Sequence, residues 1–165
     1  MEMLDNSTMK IILITQEDPF YLSKAIEKLI IKLPKGAKIV GCIVSNVSPF
    51  GKKESFIKKA LKTLKTFGLL FFIRYSVIFV KNKLFKNSVS KIIRKHNIKK
   101  ITLNESINSK NSIDLIKRQE PDLLISIAGN EIFKNTLINL APKGCLNLHS
   151  ALLPKYRGLM PCFWV

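Results

Sequence analysis

KIILIT at residues 10–15 and KIVGCIVS at residues 38–45 are two nearly continuous apolar, β-branched runs, the pattern of strands buried on both faces. Between them, Asp18 and Pro19 stand where an N-cap and a first helical residue belong. Leu22, Ala25, Ile26, Leu29, Ile30 and Leu33 follow at helical spacing, and Pro34 with Gly36 ends the helix. The reading is a strand, helix, strand unit with its two strands parallel.

From Lys52 to Asn97 the periodicity turns helical. Phe56, Ile57, Ala60, Leu61, Leu64 and Phe67 make one apolar face, with Lys52, Lys59, Lys62 and Lys65 on the other. FGLLFFIRYSVIFV at 67–80 is shorter than the ~20 residues a bilayer span needs, and Arg74 sits in its middle, so no transmembrane span is expected. A buried helix is the preferred reading of this stretch, and a surface-lying amphipathic anchor the second. Val89, Ile92 and Ile93 mark a further helix, with His96 in register to pack at its end.

Short strand patterns at 99–103 and 121–129, helical patterns at 111–120 and 130–140, and a strand in CLNLHS complete the alternation. They predict an α/β fold with a doubly wound, mainly parallel, Rossmann-like sheet. The whole chain, 1–165, reads as one folded domain with a helical insert at about 52–97.

The 28 Lys plus Arg exceed the 11 Asp plus Glu by 17 charges, which favours anionic partners in principle. The excess is almost all Lys on helical stretches, with four Arg, and reads better as solvated faces than as a dedicated nucleic-acid surface. Cys42, Cys145 and Cys162 have no CxxC spacing, so no disulfide framework or zinc site is implied and a reducing cytoplasm fits best. The start, MEMLDNSTMK, carries acids ahead of its first apolar run, unlike a signal peptide.

Alternation along CLNLHS puts Cys145, Asn147 and His149 on one face and Leu146, Leu148 and Ser150 on the other. Parallel α/β sheets bind ligands beyond the carboxyl ends of their strands. An amide and an imidazole there could stabilise an anion on a tetrahedral carbon, with the imidazole also moving a proton near neutral pH. The same two residues could equally satisfy backbone groups at a sheet edge, and spacing alone leaves both readings open. No GxSxG elbow, P-loop or GxGxxG is present, and two His without an acidic cluster argue against a metal site.

NLHSALLPKYRG at 147–158, preceded by PDLLISIAGNEIF at 121–133, resembles the 10-formyltetrahydrofolate-dependent formyltransferases. The likeness is strong from Pro121 to the end and general before it. It implies 10-formyltetrahydrofolate as co-substrate, an amine as acceptor and no metal. By the resemblance, Asn147 and His149 are catalytic, and Ile127, Ala128, Gly129, Asn130, Glu131 and Ile132 supply backbone groups that grip the pterin. Leu152 and Pro154 would shape that pocket, and Arg157 with Gly158 would lie beside the substrate channel.

Ala151 stands where many members of that family have Ser, and the Asp that completes the family's triad lies on a loop later than Val165. With Pro161 opening a helix just before Trp164 and Val165, the reading is a fragment lacking its C-terminal part and inactive by itself. Among acceptors, glycinamide ribonucleotide is disfavoured, because TQEDPFYL places Glu17 and Asp18 where a phosphate would need N–H groups. YRGLMPCFW is more like enzymes that formylate nucleotide-linked amino sugars, the preferred acceptor. Methionyl-tRNA is the alternative and the one reading with a nucleic-acid partner. A non-catalytic basic or membrane-peripheral module of the same fold is the second alternative.

Overall fold

The computed structural model describes residues 8–18, 21–45, 55–84, 88–149 and 155. The chain runs through β1 (Met9–Gln16), α1 (Leu22–Ile31), β2 (Ala37–Ser45), α2 (Phe56–Leu84) and α3 (Val89–Lys95). It continues through β3 (Lys100–Ile101), α4 (Lys110–Lys117), β4 (Leu123–Ile127), α5 (Asn135–Ile138) and β5 (Cys145–Leu148). The strands form one sheet in the order β3-β2-β1-β4-β5, and every neighbouring pair is parallel.

Alternation along β1 separates the core into two layers. Ile11 and Leu13 pack with Ile26 of α1, Val89 and Ile93 of α3, and Cys42 and Leu123. Ile12 and Ile14 pack on the opposite side with Ile116 of α4, Leu137 of α5, Ile43 and Leu124. Helices therefore cover both faces, and the winding reverses between β1 and β4. This is the doubly wound architecture read from the sequence. The register slips once, with Ile11 opposite Ile39 but Ile12 opposite Gly41. A Cβ at Gly41 would lie 2.6 Å from Ile101 Cδ1, so only glycine lets that side chain approach.

Several elements are shorter than their patterns. The expected strand at 99–103 is reduced to Lys100–Ile101, and the expected helix at 111–120 stops at Lys117. Of the expected helix at 130–140 only Asn135–Ile138 forms. The cause is a tie from far upstream in the chain: Ile132 O and Lys134 N bond to the Asn108 side chain, which draws those groups away from a helical ladder. The first helix begins at Leu22, yet the Asp18 carboxylate still accepts from Tyr21 N at 2.7 Å and Leu22 N at 3.2 Å.

The largest departure from expectation is α2. Gly68 has φ 80° and ψ 173°, a conformation essentially reserved for glycine, and the Phe56 and Phe79 rings lie 5.9 Å apart. A straight helix would separate those positions by ~35 Å, so α2 is an antiparallel hairpin bent at Gly68. Ala60, Thr63, Leu64 and Phe67 on the first arm, and Phe72, Ser76 and Phe79 on the second, are half-buried along its inner side. The buried helix expected at 67–80 is not found: Leu69, Leu70, Ile73, Val77 and Val80 are all more than half exposed. Phe56–Asn82 is long and apolar enough to cross a membrane by length and composition alone. The bend divides it into two arms, each shorter than a bilayer span.

Candidate active site

The carboxyl ends of the strands lie at one edge of the sheet, and the chain turns that follow β1 and β4 flank the point where the winding reverses. After β1, Glu17 and Asp18 are both committed to helix starts. Glu17 accepts from Val89 N at 2.8 Å and from Ser90 Oγ at 2.8 Å at the start of α3, while Asp18 takes the first N–H groups around α1. The helix start that would face a phosphate is thus occupied by a carboxylate. Burial, then Asp18 and Tyr21, push the Tyr75 phenol above its usual value.

After β4 the backbone reverses sharply. Ala128 has φ 56°, the left-handed region a non-glycine residue rarely occupies. At Gly129 a Cβ would come within 2.7 Å of Ser126 Oγ. The loop that follows is tied down by side chains from 105–109. Glu131 accepts from Ser106 Oγ and, at 3.3 Å, from Ile107 N. Asn108 donates to Ile132 O at 2.9 Å and accepts from Lys134 N at 2.8 Å. This latch was missed in the sequence, where no motif is read between the patterns at 99–103 and 111–120; its signal is an amide, Asn108, placed ahead of a capping Ser109.

Beside it, Asn147 in β5 is paired with Ser126 of β4, so its side chain lies on the α5 side of the sheet with Cys145 and Leu124. Asn147 is exposed, and His149, the first residue past the strand, is half-buried. The structure therefore brings Asn147 and His149 to the same sheet edge as Ile127, Ala128, Gly129, Asn130 and Glu131, all half-buried, and Ile132, which is exposed. Leu152, Pro154, Arg157 and Gly158 lie outside the described residues, as do Ala151 and Pro161.

Neither described cysteine is a nucleophile in waiting. Burial pushes the Cys42 thiol up to about 12 and raises that of Cys145, so both stay protonated and weakly reactive. Cys42 is a core residue and Cys145 is half-buried; both are free. Among the described residues no group of His, Cys, Asp and Glu could hold a metal ion.

An open, doubly wound sheet with an amide and an imidazole at one strand's carboxyl end defines an α/β protein whose ligand cleft lies at the strand ends. The chain belongs to the formyl transferase family, whose model matches residues 74–165. Methionyl-tRNA formyltransferase of Borreliella burgdorferi is 39% identical over 79 residues, covering 48% of this chain and 25% of that protein. The enzyme of the same name from Clostridium tetani is 32% identical over 82 residues, 50% of this chain and 26% of that protein. The chain thus aligns with about a quarter of the length of these curated relatives. Phosphoribosylglycinamide formyltransferase from Anaplasma phagocytophilum has the same fold, with a TM-score of 0.58 over 96% of this chain and 57% of its own, at 12% identity. Glycinamide ribonucleotide transformylase 1 from Geobacillus kaustophilus gives 0.57 over 95% and 66%, also at 12%.

Proposed function

We propose that this protein transfers a formyl group from 10-formyltetrahydrofolate to a primary amine in the cytoplasm. The observation that carries the reading is the placement of Asn147 and His149 at the carboxyl end of β5, next to the latched loop that follows β4, in a chain of this family. In this reading, as the family resemblance implies, the loop's backbone groups from Ile127 to Ile132 grip the pterin. Leu152 and Pro154, assigned by the same resemblance to the pocket, and Arg157 and Gly158, assigned to the path of the amine, lie outside the described residues.

The amine nitrogen attacks the formyl carbon, and the carbonyl electron pair moves onto oxygen to give a tetrahedral anion. The Asn147 amide donates a hydrogen bond to that oxygen, and His149 as imidazolium stabilises the same charge. When the intermediate collapses, the bond from carbon to N10 breaks, N10 takes up a proton and the acceptor nitrogen loses one. His149 is the group placed to relay it.

Two acceptors are distinguished by experiment. A nucleotide-linked amino sugar is supported by the YRGLMPCFW stretch, and methionyl-tRNA by the activity named for the aligned relatives. A glycinamide ribonucleotide acceptor is opposed by the Asp18 carboxylate at the start of α1. With full-length protein, formyl transfer measured against each acceptor assigns the substrate. Asn147→Ala should lower kcat by ~100- to 1,000-fold and His149→Ala by ~100-fold or more, with folate affinity largely kept. Unchanged turnover in both variants would remove the site assignment.

A further inference from the structure

The second arm of the hairpin presents an apolar stripe that no other described residue covers. Leu70, Ile73, Val77, Val80 and Leu84 recur at alternating spacings of three and four, and they are 87%, 51%, 62%, 53% and 76% exposed. At about 100° per residue they share one side of the helix, and exposed Arg74 and Lys81 lie along its border. Tyr75 falls on the opposite side. The arm therefore turns Tyr75 to one side and offers the stripe to the surroundings on the other. Lys58, Lys62 and Lys65 of the first arm are also exposed, and no Asp or Glu occurs between Ser55 and Asn104.

We propose that the outer face of this hairpin docks on the surface of an anionic lipid bilayer. A helix with a continuous apolar stripe bordered by cations lies in the headgroup layer, with its apolar side chains inserted and its basic ones at the phosphates. Bent at Gly68, neither arm can cross the hydrocarbon, so the hairpin lies flat. The long Lys and Arg stems at the border can lie along acyl chains while their charges stay in water. Heptad-like spacing could also pair two hairpins, but with no acid in the segment two copies would bring like charges together. An anionic surface satisfies both the stripe and its basic border.

The test is flotation of the full-length protein with vesicles of phosphatidylcholine alone and of phosphatidylcholine mixed with phosphatidylglycerol. Binding is expected to the mixed vesicles alone and should fall as salt is raised. Leu70→Asp combined with Val77→Asp should abolish it; both positions are exposed, so an unchanged circular dichroism spectrum would show that the fold is retained. Arg74→Ala and Lys81→Ala should each weaken binding about fivefold. No flotation with anionic vesicles, or flotation unaffected by the double Asp substitution, would overturn the proposal. So would a dimer in sedimentation equilibrium that the same double substitution dissociates, because the stripe would then belong to a second copy.

Discussion

Thr15, next to last in the central strand β1, has no exposure at all, and its hydroxyl has no hydrogen-bond partner among the described residues. Alternation from Leu13 turns it toward the α1 side of the sheet, the side of the apolar layer around Ile26 and Val89. An unmade hydrogen bond in such a place costs on the order of 1–3 kcal/mol, and an isostere without the hydroxyl avoids that cost. Thr15→Val should therefore raise stability by about 1 kcal/mol, read as a higher urea midpoint with an unchanged slope. A lower midpoint would show that the hydroxyl has a partner in solution. Cys42 in the same layer illustrates the opposite case: its thiol is content in apolar surroundings, which is why burial holds it protonated.

At the scale of elements, two side-chain ties do work that the backbone alone could not. Asn108 joins the loop before α4 to the loop after β4 through both ends of its amide. Asn108→Ala should weaken folate binding by about 1–2 kcal/mol in isothermal titration, through a loop no longer held in place, while a substitution at exposed Lys143 leaves affinity alone. The second tie joins α1 to α3, where Lys95 Nζ donates to Glu27 Oε1 at 2.6 Å and His96 Nε2 lies 3.8 Å from the same oxygen. The Lys95 hydrogen bond is the main cause that holds the Glu27 carboxyl below its ordinary 4.5, with burial opposing it. A depressed carboxyl stabilises the fold above its unfolded value and loses that contribution as pH falls through the folded one. Lys95→Ala should thus lower the urea midpoint at neutral pH, and the gap to the parent should close below about pH 4. A gap that persists there would assign the effect to packing.

For the molecule as a whole, the parallel sheet was legible because its strands are apolar without interruption, a pattern that only burial on both faces explains. The first unit, from KIILIT to KIVGCIVS, was readable to within a residue or two at each strand end. That Asn147 shares a face of the strand with Cys145 followed from alternation; which side of the sheet that face takes did not. What escaped the sequence depended on long-range geometry. No local pattern shows that Gly68 takes a positive φ, and without that bend FGLLFFIRYSVIFV looks like a buried helix rather than one arm of a hairpin. Likewise, the helix pattern at 130–140 ignores Asn108, which sits more than twenty residues upstream and removes Ile132 O and Lys134 N from any helical ladder. His96 was placed correctly at a helix end, because its register with Ile92 and Ile93 is local.

The central position of β1 has a consequence for how the molecule is made. Of the described strands β1 leaves the ribosome first, yet one of its two flanking neighbours, β4, begins at Leu123. Until then β1 can pair only with β2, and the edge formed by Ile11 to Ile14 stays open through the synthesis of the hairpin and α3. Non-local parallel pairing of this kind is slow and leaves apolar surface uncovered while it is awaited. At ~5–20 residues per second, the interval between completing β2 and completing β4 lasts several seconds. During that interval the nascent chain exposes both a strand edge and the apolar arms of the hairpin, which makes it a natural client for a ribosome-bound chaperone.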